Sequence, residues 1–395
     1  MRIMTKPTPT ENYDCATTNR LSVPIEKTGA VVHVIGSLVA GGAERFVVDL
    51  ARGMKTLGYD VRVLVLSSKM DEAGKVMAAN LDNADIPYLR GPTRRVRWRS
   101  VAWYINSLLL WEPDIVHLHT PNTDMAHVLA RAVFRKRHQV FRTIHTIMPP
   151  SLAARIAIYA NKAALNIACS KAASLQAKSY IKGNLITIRN GKRFSWPIRT
   201  SPLSKQYKLK LGLEETGVVH FLVVGRMDGD SIETEPKGYD TLLKAWILGQ
   251  LQKRGARLHI LGDGTLREKL ERVAKEDASI NFHGVRSDVT DWMIACDCFV
   301  MPSRWEGLPI AGIEAVGTGL PCIFSDIEPL RELRPSVAVW HESGDVDQLA
   351  KNLLDVIGNY QYPVETKTLE FRNEFNDEHT VNQYDKAYRS VLRME

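Results

Sequence analysis

Short apolar, β-branched runs recur along the chain, separated by stretches in which apolar positions return every three or four residues. In the first half the runs are Val31–Ile35, Val61–Leu66, Ile115–His119, Gln139–Ile144, Leu165–Cys169 and Leu185–Ile188. Between the first two, Phe46, Val47, Leu50, Ala51, Met54 and Leu57 fall on one face of a helix that ends near Gly58. A polar stretch carrying Pro and Lys, residues 195–213, reads as a linker. The rhythm then restarts with Val219–Val224, Arg257–Leu261, Ile280–Phe282, Cys298–Met301, Pro321–Phe324 and Val337–Trp340. Alternation of this kind predicts an α/β fold with parallel sheets covered by helices on both faces. Two such series predict two Rossmann-like domains facing across a cleft, over residues 30–200 and 201–375. Residues 1–29, rich in Thr, Pro and Asn and without periodicity, read as a flexible tail.

Length and composition fit this reading. The 395 residues suffice for two or three domains, and 45% apolar with 24% charged residues is an ordinary globular mix. The net charge of +8 is the informative quantity because it is unevenly spread. Residues 1–200 carry +16 and residues 201–395 carry −8, and between Asp124 and Glu214 there are 17 Lys and Arg but no acid. The first half is suited to meeting something anionic. The five cysteines, Cys15, Cys169, Cys296, Cys298 and Cys322, show no paired metal or disulfide spacing, which points to a reducing compartment. No apolar signal core is visible near the N-terminus. Val101–Trp111, the nearest approach to a membrane span, is short and contains Asn106 and Ser107. A soluble or peripheral protein is expected.

Ligands on open parallel sheets bind beyond the carboxyl ends of the strands, which directs attention to the loops there. One strand ends in Gly225-Arg226, and Lys237 opens the following helix; a guanidinium and an ammonium so placed can clamp a diphosphate. Another strand runs through Glu306, Gly307, Leu308 and Pro309 into a helix carrying Glu314, offering carboxylates for sugar hydroxyls and free amides for a phosphate. Gly284 and Val285 follow a third strand, where they can approach a planar base. Each feature alone is more often a surface charge or a helix-face residue. Asp228-Gly229-Asp230 and Asp345-Val346-Asp347 read as loop acids rather than metal ligands. His33, His117 and His119 read as structural, and no Gly-Lys-Ser/Thr follows the loop at 36–42 to make a P-loop.

Taken in order, the set strongly resembles the family 4 retaining glycosyltransferases, the group 1 enzymes of double-Rossmann (GT-B) fold. The residues concerned are Gly36 to Glu44 with Gly41 and Gly42, Pro113 to His119, Thr143-Ile144-His145, Ala168 to Lys171 and Arg189-Asn190-Gly191. In the second half they are Gly225-Arg226, Lys237 to Asp240, Gly262-Asp263-Gly264, Pro302 to Pro309, Glu314-Ala315 and Gly319-Leu320-Pro321. The resemblance implies a nucleotide-diphosphate sugar as co-substrate, with no cofactor and no metal. Arg226 and Lys237 would neutralise the leaving diphosphate, Glu306 would hold donor-sugar hydroxyls, and Glu314 the ribose. His145 would stand beside the donor sugar, and Gly41 and Gly42 would let the backbone approach the reacting centre. Gly225, Gly284, Val285, Gly307, Leu308 and Pro309 would complete the donor site. The last helix pattern, within residues 376–395, is similar to the family's final helix, which crosses back to the first domain. Two departures stand out: Lys192-Arg193 replaces an apolar residue and Asp, and Leu333 to Ser336 replaces a Gly-bearing segment. The acidic loop Asp228–Pro236 is expected to order over the donor.

The basic surplus gathers at Arg94, Arg95, Arg97, Trp98 and Arg99 and at Arg135, Lys136 and Arg137. Cations beside aromatic and aliphatic groups suit an anionic membrane surface. The expected acceptor is therefore a lipid-linked glycan or glycolipid in cell-surface polysaccharide synthesis, met on the cytoplasmic side of the membrane. A non-hydrolysing sugar-nucleotide epimerase would share the fold but has no use for a basic acceptor domain. A nucleic-acid-binding protein would use the same charge, but it leaves Arg226, Lys237, Glu306 and Glu314 unexplained, so no nucleic acid is expected. The sequence says nothing of oligomeric state.

Overall fold

The computed structural model describes residues 28–95, 98–131, 133, 138–335, 338–358 and 365–392. Residues 1–27 of the expected tail, together with Arg97, Arg135, Lys136 and Arg137, lie outside the described residues. Seven strands form the first sheet: β1 (Ala30–Ile35), β2 (Asp60–Val65), β3 (Tyr88–Arg90), β4 (Ile115–Leu118), β5 (Gln139–Ile144), β6 (Leu165–Ala168) and β7 (Leu185–Thr187). Six form the second: β8 (Val219–Val224), β9 (Ala256–Leu261), β10 (Ile280–Gly284), β11 (Cys298–Met301), β12 (Cys322–Ser325) and β13 (Ala338–His341). All pairings are parallel, in the orders β3-β2-β1-β4-β5-β6-β7 and β10-β9-β8-β11-β12-β13. Each order reverses beside its first strand, between β1 and β4 and between β8 and β11. That is where a crevice opens at the carboxyl ends of an α/β sheet.

Alternate residues of the first sheet face different helices. Val31, Ile35, Val61, Val63 and Ile115 pack under α1 (Gly42–Thr56) and α2 (Glu72–Asp82). Val32, Val34, Leu64, Val116 and Leu118 pack under α3 (Trp98–Trp111) and α4 (Pro121–Arg131). α5 (Leu152–Asn161) lies on that second face too, with Ile158 against Ile144, and α6 (Lys171–Ala177) follows β6. Both faces are apolar because helices cover both, which is why these strands read as continuous apolar runs.

The stretch 195–213 is not a bare linker. Its second part is α7 (Ser201–Leu211), begun by the Thr200 hydroxyl accepting from the Leu203 amide and ended by Gly212 in the left-handed region. Tyr207, Leu211 and Leu213 of this segment join the second core. Only three apolar residues in nineteen touch that core, so the helix carries almost no amphipathic signal. β3 also escaped the sequence pattern, being three residues long at a sheet edge.

The second sheet is covered by α8 (Tyr239–Leu248), α9 (Arg267–Ala274), α10 (Val289–Ala295), α11 (Ile310–Thr318), α12 (Glu328–Arg331) and α13 (Val346–Gly358). α14 (Glu365–Glu374) packs on α11, after which α15 (Asp377–Leu392) returns to the first sheet and packs on α1. Tyr384 and Tyr388 of α15 are fully buried there. The Tyr388 hydroxyl meets His117 Nδ1 at 2.6 Å, and the Tyr384 hydroxyl meets Thr143 Oγ1 at 2.9 Å. Tyr388→Phe removes one partner of a buried imidazole and is expected to cost about 1–3 kcal/mol of stability. Tyr388→Ala adds a cavity and is expected to cost more, about 3–5 kcal/mol. Urea unfolding of the two variants against the parent checks both.

Candidate active site

A cleft of about 1380 Å³ separates the two sheets at their carboxyl ends. Its walls include Gly41, Gly42 and His145 from the first half and Gly225, Arg226, Lys237, Val285, Glu306, Gly307, Leu308, Pro309 and Glu314 from the second. Of the donor residues predicted from sequence, Gly284 alone is not on the wall. It ends β10 at φ +66°, and its carbonyl accepts from the Gly262 amide, so it shapes the turn that presents Val285.

Glu306 is buried and its Oε1 receives two donors, Lys237 Nζ at 2.6 Å and Ser303 Oγ at 2.8 Å. Lys237 is itself placed by Glu235, whose carboxylate accepts from the amides of Lys237 (2.6 Å) and Tyr239 (2.5 Å). Arg304 steadies the same corner, donating to the Glu235 carbonyl at 3.1 Å and to Asp240 at 2.6 Å. The loop Asp228–Pro236, expected to be ordered by the donor, is thus anchored from within the chain at its far end. Burial pushes the Glu235 carboxyl up, against the two amides and Arg304 that pull it down. Arg226 stands half exposed on the same cleft, its guanidinium 3.8 Å from Asp228.

Two helices point their amino ends into this space. α1 starts after Gly41 and α11 after Pro309, and neither of these N-cap residues supplies a side-chain cap. The two ends are close: a Cβ on Gly42 would lie 3.6 Å from Ile310 Cγ1. Uncapped amides and the positive end of each helix dipole make such a place favourable to phosphate. The halves also touch at Gly307, where a Cβ would come within 2.0 Å of the His145 carbonyl oxygen, so only glycine fits.

Sequence reasoning missed the polar ties across the cleft. Glu314 Oε1 receives Arg45 of α1 at 3.2 Å and Lys192 at 3.3 Å, and Lys192 also meets Asp49 at 3.0 Å. Burial opposes the Lys192 charge, but Glu314 and Asp49 outweigh it and hold the ammonium above its ordinary range. Lys192 had shown itself in the sequence only as a departure from the family pattern. Glu332, near the other departure, accepts from the amides of Lys171 (2.9 Å) and Ala172 (2.8 Å) and so caps α6 from the opposite half. Glu44 folds over Gly41, where a Cβ would lie 2.1 Å from its Oε2. Burial raises its carboxyl, with Arg226 opposing.

His145 ends a chain of imidazoles. It meets His119 at 3.1 Å, and His119 meets His33 at 3.0 Å. His117 is satisfied by Tyr388 and by Thr143 at 2.8 Å, and His33, His117 and His119 are three buried rings close enough together to suggest a metal. Burial holds His145 down at about 4 and His33 at about 3, so the cleft histidine is neutral near pH 7 and acts through hydrogen bonds. The second sheet has a matching chain, His220 to His259 to His283, at 3.0 Å per link. Away from the cleft lining, Arg94, Arg95, Trp98 and Arg99 are all exposed at the amino end of α3.

Two family models match the chain: Glycosyltransferase Family 4 over residues 40–191, and Glycosyl transferases group 1 over residues 218–359. An uncharacterized glycosyltransferase of Haemophilus influenzae is 25% identical over 354 residues, covering 85% of this chain and 91% of its own. The lipopolysaccharide core biosynthesis glycosyltransferase LpsD of Rhizobium meliloti is 27% identical over 310 residues, covering 77% and 79%. Among solved structures, Anabaena HepE in complex with UDP and glucose superposes with a TM-score of 0.72 at 20% identity, covering 91% and 99%.

The two imidazole chains make stability depend on pH in a definite direction. Folded-state pKa values lie at about 4 (His145) and about 3 (His33, His259), against 6.5 for a free ring. Below 6.5 the unfolded chain therefore takes up protons that the folded chain refuses. Each such ring lowers stability by up to about 1.4 kcal/mol per pH unit down to its folded value. The urea midpoint is expected to fall steadily from pH 7 to pH 4.5; a flat profile would mean that the rings are solvated.

Proposed function

The chain belongs to the group 1, family 4 glycosyltransferases of GT-B fold, and we propose that it moves a sugar, with retention, from a nucleotide-diphosphate donor to an acceptor hydroxyl. The observation that carries this reading is the meeting of Arg226, Lys237 and Glu306 from one sheet with His145 and the Gly41-Gly42 backbone from the other, in a single cleft between two uncapped helix ends. The donor lies along the second sheet, its base beside Val285 and its diphosphate at Arg226, Lys237 and the α11 amides. Its ribose hydroxyls hydrogen-bond Glu314, displacing Arg45 (the more exposed of the two cations there) while buried Lys192 stays. Glu306, held by Lys237 and Ser303, accepts from the sugar hydroxyls.

In the transfer step the bond from the anomeric carbon to the phosphate oxygen breaks, and a bond to the acceptor oxygen forms on the same face. The acceptor proton passes to the departing phosphate oxygen, leaving a glycoside and a nucleoside diphosphate. Negative charge grows on the diphosphate as this happens. Lys237, fixed in advance by Glu306, and Arg226 stabilise that charge more than they stabilise the bound donor, which lowers the barrier. These cations and the helix ends do the work a metal ion would do. Neutral His145 donates or accepts a hydrogen bond at the sugar.

The acceptor is a lipid-linked glycan or glycolipid of cell-surface polysaccharide synthesis. The protein meets it on the cytoplasmic side of an anionic membrane through its basic first half. The glycosyltransferase named for lipopolysaccharide core biosynthesis among its relatives supports this direction.

Lys237→Ala or Glu306→Ala is expected to reduce turnover at least about a hundredfold, while circular dichroism shows the fold retained. A rate near that of the parent would remove the residue from the assignment. EDTA treatment is expected to leave turnover unchanged. A thermal-shift panel of UDP-, GDP- and ADP-sugars is expected to raise the melting temperature with one nucleotide above the others, and Arg226→Ala to abolish that rise.

A further inference from the structure

The first half carries an apolar surface that the sequence clusters did not point to. Among the described residues, nineteen large apolar side chains are exposed, and ten of them belong to the 62 residues from Trp98 to Tyr159. They are ordered. On α5, Leu152, Ile156 and Tyr159 recur at i, i+4 and i+7 and are 75%, 62% and 71% exposed. On α4, Met125 and Leu129 recur at i and i+4, 44% and 56% exposed. α4 and α5 pack side by side on one face of the first sheet, so the two stripes lie on neighbouring helices. An amphipathic helix normally turns such a stripe inward. Here the inward positions are filled by another set, Ala126, Ala130, Ala157 and Ile158, leaving the outer stripe without a partner.

The charge around these stripes selects the occupant. Asp124 is the last acid before Glu214 in the chain, and it is buried in an ion pair with Arg142, so it offers nothing to the surface. The exposed ionic groups flanking the stripes are Arg131, Arg155 and Lys162. An apolar strip whose exposed charges, among the described residues of α4, α5 and their ends, are all cations matches the boundary between acyl chains and anionic headgroups, whereas a self-complementary contact between two copies would set like charges against each other. Position agrees with function: Met148, itself 47% exposed, lies three residues past His145 in the loop that runs from the cleft wall into α5.

We propose that the paired outer faces of α4 and α5 form the membrane-seated surface, inserting Met125, Leu129, Leu152, Ile156 and Tyr159 among anionic lipids and bringing the cleft mouth to the bilayer. This deepens the membrane part of the reading above and rests on it. It differs from attachment by the exposed cations at the amino end of α3.

Co-sedimentation of the full chain with vesicles of phosphatidylglycerol and phosphatidylcholine, and with phosphatidylcholine alone, tests it at low salt. The parent is expected to bind the anionic vesicles. Ile156→Glu and Leu129→Glu, at positions exposed enough to leave the melting temperature unchanged, are each expected to weaken that binding roughly tenfold or more. Three results would overturn the proposal. If Arg94→Glu with Arg99→Glu abolishes binding while Ile156→Glu binds like the parent, the α3 end is the anchor, and the membrane reading stands without this surface. If the parent binds neither vesicle, both the surface and the membrane reading fall, with the glycosyltransferase assignment untouched. If sedimentation in vesicle-free buffer shows a dimer that Ile156→Glu converts to monomer, the face is an interface between copies.

Discussion

The ion pair between Lys237 and Glu306 is the interaction around which the donor half is arranged. A buried carboxylate is expensive unless it is paired and hydrogen-bonded, and removing one partner leaves the other uncompensated. Lys237 and Ser303 meet that requirement, and Glu235, Arg304 and Tyr239 in turn fix the backbone from which Lys237 reaches. The β8 and β11 loops are adjacent because the strand order reverses between those strands. The reversal therefore places the cation and the carboxylate within 2.6 Å of each other although they are 69 residues apart in sequence.

The second constraint is that two halves must close on a polyanion without expelling each other. Gly307 against the His145 carbonyl, Glu332 capping α6, and Arg45 with Lys192 on Glu314 form three separate ties across the cleft. The last of these engages Glu314 through side-chain charge, at a residue proposed above to hold the donor ribose. If the donor ribose binds there as proposed, donor binding and inter-half contact are coupled through Glu314, which would give domain closure a chemical handle. The negative balance of the second half does not contradict the proposed donor site, because Arg226, Lys237 and the α11 amides would act locally. The surplus of cations in the first half faces outward, where α4 and α5 expose their apolar stripes.

Much of this was legible in the sequence. Buried strands announced themselves as apolar runs, and the chemistry-bearing residues sat just after them, so Arg226, Lys237, Glu306, Glu314 and His145 could be placed on one cleft before any coordinates. α7 was not legible, because a helix that turns few apolar residues inward looks like a polar linker. Nor was β3, since three residues at an edge carry too little pattern to register. The basic clusters drew attention to the amino end of α3. The α4 and α5 stripes stayed hidden because an apolar i, i+4, i+7 pattern looks the same whether it faces a core or a membrane.

The sequence by itself determined the α/β class, the doubled architecture, the loops that carry the chemistry and the uneven charge. These depend on local periodicity and on residue type, which are written along the chain. Only the tertiary structure decided which groups meet: Lys237 with Glu306, Arg45 and Lys192 with Glu314, Tyr388 with His117, and which side of α5 is left uncovered. Those outcomes follow from strand order and the return of α15 to the first sheet. Such long-range packing brings together residues whose separation along the chain carries no trace of their contact.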